Sequence, residues 1–198
     1  LLKNNNVYSK EMEHDACGVG LVASTEGKKS REVVEYGIQA LKAVWHRGAV
    51  DADGKTGDGA GIHLEIPKDF FIEKIEITGQ KFNKSEICVG MIFLPRNNFE
   101  AQEICRTIIE SELTKSNFSI YGWRQVPVNP KVLGEKADRT RPEITQVLFR
   151  HNDAELNGKK LERCLYESRR KIENKTLKNS LEGFYICSLS SKSIIYKG

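Results

Sequence analysis

Three short segments carry residue types suited to covalent chemistry. Cys17 opens the apolar run Cys17-Gly-Val-Gly-Leu-Val-Ala-Ser24, where Gly18 and Gly20 let backbone approach a ligand closely. Such a cysteine is either a nucleophile or an inert core thiol, and its immediate neighbours leave both open. His46-Arg47-Gly48-Ala49 follows a helical pattern, where a cation complements the negative helix end. The same Arg47 could reach a carboxylate or a nucleophilic sulfur. Thr56-Gly57-Asp58-Gly59-Ala60-Gly61 places three glycines in six residues, which implies a tight turn or an exposed nest of backbone amides. It is not a phosphate loop of the Walker type, because it opens a strand and lacks the Gly-Lys-Ser/Thr that such a loop requires. His63 alternates out of that strand as a surface residue, and His14 sits in a polar leader.

The elements that position these segments alternate between two periods. Residues 17–24 read as a short strand. Val34, Gly37, Ile38, Leu41 and Trp45 then fall on one helical stripe over 30–45, with Ser30 as its cap and Gly48 as its stop. Residues 62–66 alternate as a half-buried strand, and 87–94 form a continuous apolar run that predicts a strand buried on both faces up to Pro95. Asn97 and Glu100 start a helix with Ile104, Cys105, Ile108 and Ile109 inward. Strands follow over 118–128 and 144–150, then a helix over 155–173 with Leu161, Leu165 and Ile172 inward. Two strands, 183–189 and 193–196, are joined by a Ser/Lys turn. The pattern is α+β.

The 198 residues carry 39% hydrophobic side chains and a net charge of +4, an ordinary globular balance that excludes a coiled coil or a disordered tail. No Lys/Arg block is dense enough for nucleic acid; the densest, Lys159 to Lys171, is broken by Glu162 and Glu167. No apolar run approaches the roughly 18 residues of a membrane span, and the first 15 residues lack the core of a secretory signal. The five cysteines are widely spaced with no Cys-x-x-Cys, so neither a disulfide framework nor a metal site is expected. The expected setting is cytoplasmic. A chain that starts at Leu1 and stops directly after a strand is expected to be cut from inside a domain.

Taken in order, these segments resemble a known family. Ala16-Cys-Gly-Val-Gly-Leu-Val22, His46-Arg-Gly-Ala49 and Thr56-Gly-Asp-Gly-Ala-Gly-Ile62 followed by Pro67 and Phe70-Phe71 are similar to the amino-terminal glutaminase domain of glutamate synthase large subunits. Gly122-Trp-Arg-Gln-Val-Pro-Val128, Pro142-Glu-Ile-Thr-Gln146 and Ser188 through Gly198 continue the resemblance in register. It implies a class II glutamine amidotransferase of the N-terminal-nucleophile fold, a four-layer α/β/β/α sandwich that would be incomplete at its C-terminal end here. Residues 1–16 would be a leader, and 17–198 the first portion of the amidotransferase domain.

The resemblance makes Cys17 the nucleophile that takes the acyl group from the side-chain amide of L-glutamine and releases ammonia. The base would be its own α-amino group, with a pKa of about 7.7–8.0, which requires Cys17 to become residue one. Arg47 is assigned to supporting the thiolate or substrate, with His46 beside it. Asp58 is a substrate-side candidate whose first role is to order the Gly-rich turn. The family's main carboxylate-binding Arg, its oxyanion Asn-Gly pair and its Asp for the substrate amino group come from segments past the point matching Gly198. The only Asn-Gly here, Asn157-Gly158, sits elsewhere. No cofactor belongs to this segment; FMN and an iron–sulfur cluster would belong to the synthase portion. The remaining synthase domains or subunits are the expected partners, and the isolated, unprocessed chain is expected to be inactive. Two other readings stand. Phosphoribosylpyrophosphate amidotransferases share the Cys-Gly start and a His-Arg-Gly element, although Thr56–Gly61 and Gly122-Trp-Arg124 favour the first family. A non-catalytic remnant of a split gene, acting only by association, is the third.

Overall fold

The computed structural model describes residues 18–45, 48–81 and 87–198. Helix α1 (Arg31–Ala43) begins at Ser30, whose hydroxyl accepts the Val33 amide at 3.3 Å, as the capping signal requires. It ends at Ala43, short of Gly48, and Trp45 lies outside it with its side chain exposed. Strand β1 (Gly61–Glu65) leads through Pro67 into α2 (Lys68–Glu76), which buries Phe71, Ile72 and Ile75. Then come β2 (Cys88–Leu94), α3 (Phe99–Lys115) and β3 (Phe118–Gln125). One tight turn at Pro130–Val132 precedes the short α4 (Glu135–Thr140) and β4 (Glu143–His151). Helix α5 (Gly158–Lys178), β5 (Tyr185–Ser190) and β6 (Ser193–Lys197) complete the order.

A four-stranded antiparallel sheet, ordered β3-β4-β2-β5, forms the centre, and β1 pairs antiparallel with β6 in a second sheet. Central β2 is buried on both faces, as its unbroken apolar run requires. On one face, Cys88, Ile92, Val147 and Phe149 meet Cys105, Ile109 and Leu113 of α3 and Leu161, Leu165 and Ile172 of α5. Each large aliphatic buried there contributes about 1.5–3 kcal/mol. On the other face, Val89, Met91, Leu148 and Cys187 meet Phe71 and Ile75 of α2 and Ile194 of β6. The chain is therefore α+β, with α3 and α5 on one face of the main sheet and α2 and β6 against the other.

Two contacts hold the elements in place. Glu112 of α3 is buried and takes the Lys175 ammonium of α5 at 2.5 Å. That bond, with Lys115 alongside, keeps the Glu112 carboxyl below its usual pKa. Glu162 of α5 accepts Ser190 Oγ at 2.9 Å, Ser191 N at 2.8 Å and Ser191 Oγ at 2.6 Å, clamping the turn where the chain passes from one sheet to the other.

Three local expectations change. Residues 18–24 form no strand: Val19 and Leu21 are 91% and 92% exposed, and no described strand pairs with them. Without a ladder, alternation alone cannot hold a Gly-containing segment extended. Asn98, not Asn97, caps α3 by accepting the Ala101 amide at 2.9 Å. Ile104 faces outward because the buried stripe runs through Gln102, Cys105, Ile109 and Leu113.

Candidate active site

The nucleophile candidate Cys17 and the pair His46 and Arg47 lie outside the described residues, as does His14. What is described is the Gly-rich turn that follows His46 and Arg47 in sequence, with the end of β6 and α4 packed against it.

Residues 50–57 fold back on themselves. Val50 bridges Gly57, and the Asp51 amide donates to Thr56 O at 2.8 Å. At the bend, Asp53 accepts the Lys55 amide at 2.9 Å, the Thr56 amide at 2.7 Å and the Thr56 hydroxyl at 2.5 Å. These donors pull the Asp53 carboxyl down to a pKa of about 2, chiefly through Thr56. Lys136 of α4 bonds Asp51, lowering that carboxyl and raising its own pKa. Gly134, just before α4, is pressed so close that a Cβ there would lie 2.2 Å from both Asp53 Oδ2 and Thr56 Oγ1. Helix α4 is thus a buttress for the turn. Nothing in the sequence patterning marks it, since six residues are too few to show a helical stripe.

Asp58 Oδ2 accepts the Ala49 amide at 2.7 Å, tying the Gly-rich turn to the segment that follows His46 and Arg47. The turn itself is moulded on the end of β6. Ala60 and Gly198 exchange two backbone bonds, at 2.8 and 3.0 Å. Gly59 has φ +88°, and a Cβ on it would lie 2.6 Å from Gly198 O. At Gly61 a Cβ would lie 3.0 Å from Tyr196 O. Both glycines are therefore dictated by close approach.

Two motifs that lie 18 or more positions apart in sequence meet in the main sheet. Register pairs Arg124 with Gln146 and Trp123 with Val147. Arg124 Nη1 donates to Gln146 Oε1 at 2.8 Å, and Gln146 Nε2 donates to Tyr196 Oη at 3.2 Å. Trp123 Nε1 donates to Glu110 at 2.7 Å. His63 is exposed on β1, and Asn157-Gly158 forms the start of α5.

The four described cysteines are unreactive in character. Burial raises the thiol pKa of Cys88, Cys164 and Cys187 and takes Cys105 to about 11, so all stay protonated near neutrality. Among the described residues no group of three or more His, Cys, Asp or Glu side chains is placed to hold a metal ion. No helix there is long and apolar enough to cross a membrane.

The family described as Glutamine amidotransferases class-II matches residues 17–198, from Cys17 to the last residue. The chain belongs to this enzyme family. The glutamate synthase [NADPH] large chain of Azospirillum brasilense is 52% identical over 197 residues, covering 100% of this chain and 13% of that protein. The ferredoxin-dependent glutamate synthase of Pyropia yezoensis is 37% identical over 202 residues, covering 100% of this chain. The glutamate synthase [NADPH] large chain of Bacillus subtilis is 35% identical over 196 residues, covering 99% of it. The amidotransferase chain spans about 13% of the length of these relatives. A solved structure, the C-terminal domain of the MgtC protein from Mycobacterium tuberculosis, matches 60% of this chain and 94% of its own, with TM-score 0.30 and 16% identity, too distant to carry an argument.

Proposed function

We propose that this chain is the glutamine-hydrolysing part of a glutamate synthase large subunit, acting through Cys17. The observation that carries the reading is the family match that opens on Cys17, with 52% identity to a glutamate synthase large chain along the whole sequence. Cys88, Cys105 and Cys187 are buried and Cys164 is half-buried, and burial raises the pKa of all four thiols, which supports Cys17 as the nucleophile.

Cys17 Sγ attacks the side-chain carbonyl of L-glutamine, the C–N bond breaks, and the nitrogen leaves as ammonia with the proton passed on by the base. Water then cleaves the thioester, giving glutamate and restoring the thiol. The α-amino group of Cys17 is the base, so residues 1–16 act as a leader whose removal frees it; with Ala16 attached, the nitrogen is an amide and has no usable lone pair. Arg47 and His46 serve the thiolate or substrate, and Asp58 holds the backbone beside them. The ammonia passes to the remaining synthase domains, where FMN and iron–sulfur chemistry would reside; this segment itself takes no cofactor. The N-terminal-nucleophile sandwich, completed by further segments, is the fold that goes with this role, and two antiparallel sheets with α3 and α5 covering the main one suit it. A cytoplasmic setting, where the free thiols Cys88, Cys105, Cys164 and Cys187 stay reduced, belongs to the same reading.

The test is ammonia release from L-glutamine. In a large chain carrying this sequence, with Cys17 as first residue, Cys17→Ala should abolish release; retained release would overturn the proposal. The isolated 198 residues should release none, because the oxyanion donors would come from elsewhere and even one such donor is worth about 100- to 1000-fold.

A further inference from the structure

Gln146 is an amide in the middle of a buried strand. It has no exposed surface; its neighbours along β4 are the buried Thr145 and Val147, with Ile144, Leu148 and Phe149 beyond them. Burying a polar side chain in such a strand costs free energy that hydrogen bonds offset. Its carbonyl accepts from Arg124 Nη1 at 2.8 Å, and its amide donates to Tyr196 Oη at 3.2 Å. Arg124 is itself steadied over the Phe70 ring, 5.1 Å from its centroid. The chain of bonds therefore runs from β3 through β4, across the space between the two sheets, to β6. Two residues past Tyr196, Gly198 closes on Ala60, and the Tyr196 carbonyl lies where a side chain at Gly61 would go.

We propose that Gln146, fixed by Arg124, is a positioning residue: through Tyr196 it sets where the end of β6 lies and thereby the shape of the Gly-rich turn that Asp58 ties to Ala49. The role of that turn in the active site rests on the function proposed above; the mechanical link does not. An apolar side chain at 146 would pack as well but would leave the Arg124 guanidinium and the Tyr196 hydroxyl without their partner. Glutamate can stand in, since a carboxylate accepts from Arg124 and from the Tyr196 hydroxyl alike.

The experiment is amide hydrogen exchange on the full chain, resolved at Ala49 and Ala60 and along the β2–β4 ladder. Gln146→Leu, and the gentler Tyr196→Phe, should speed exchange at Ala49 and Ala60 by about 2- to 13-fold, the opening expected from one lost bond, while the ladder holds its protection. Gln146→Glu should restore it. Exchange at Ala49 and Ala60 that merely keeps pace with the ladder in both Gln146→Leu and Tyr196→Phe overturns the proposal. In the large chain with Cys17 first, labelling of Cys17 by a glutamine-like electrophile should slow in Tyr196→Phe and Gln146→Leu and recover in Gln146→Glu. Failure of the wild type to label there refutes the proposed function and leaves the exchange result standing. Faster exchange with unchanged labelling overturns the claim that the turn serves the site.

Discussion

Gly59→Ala is the sharpest test of how the turn is built. The residue has φ +88°, and an added Cβ would sit 2.6 Å from Gly198 O. The backbone conformation alone costs an L-residue about 1–2 kcal/mol. The clash is with a backbone carbonyl, so relief requires moving Gly198 and stretching the paired bonds between Ala60 and Gly198, each worth about 0.5–1.5 kcal/mol. The expected loss is about 2–4 kcal/mol, which for a chain of this size lowers Tm by about 4–16 °C. Gly54→Ala separates the two causes, because Gly54 has φ +68° with nothing within 4 Å of its Cβ and should lose only the conformational part. Gly20→Ala, with open space and no strained φ, should be close to neutral. Urea unfolding of the three variants measures the series. Gly59→Ala no more destabilising than Gly54→Ala would refute the close-approach argument.

Other outcomes follow from the same geometry. Asp53 has a folded pKa lowered to about 2, so its contribution to the turn is complete above the unfolded carboxylate pKa of about 4 and is lost as pH falls through about 2. Exchange at the Thr56 amide, followed from pH 5 to pH 2, should show that loss, and Asp53→Asn should flatten it. A thiol reagent at pH 8 should leave Cys88 and Cys105 untouched in the folded chain and react with both in urea; rapid native reaction at either would contradict their burial. Arg47→Lys in the large chain should lower glutamine hydrolysis by about 10- to 100-fold, or about 1.4–2.7 kcal/mol, at unchanged Tm, since Lys cannot supply the planar fork. An unchanged rate would remove Arg47 from the chemistry.

The strands and long helices were legible because their apolar periods are long and uninterrupted: the β2 run and the α5 stripe of Leu161, Leu165 and Ile172 are both where the pattern puts them. Helices α2 and α4 were missed, being nine and six residues long, too short for a period to repeat. Cys105 was correctly read as facing inward, since it shares a helical stripe with aliphatic residues. The reading of 17–24 as a strand failed over its described part for a different reason: a strand is made by its neighbour, and a single segment carries no record of what it pairs with. At the site, the glycines were legible as a turn, but not what they make room for. That is the β6 backbone, more than 130 positions away in sequence. Gln146 was legible within a motif, while its bond to Tyr196 depends on two sheets being stacked.

The pairing of Gly61 with Lys197 also sets a timetable for synthesis. Strand β1 leaves the ribosome more than 130 residues before β6, a wait of roughly 7–26 s at 5–20 residues per second. Throughout that interval β2, α3, β3, β4 and α5 can associate through contacts near in sequence, while β1 has no strand to join and the glycines at 59 and 61 have nothing to close upon. The scaffold is thus made first and the frame of the reactive end last. A nascent chain paused between Ser190 and Ser193 already holds every strand of the main sheet, while the Gly-rich turn still waits for the backbone it closes upon.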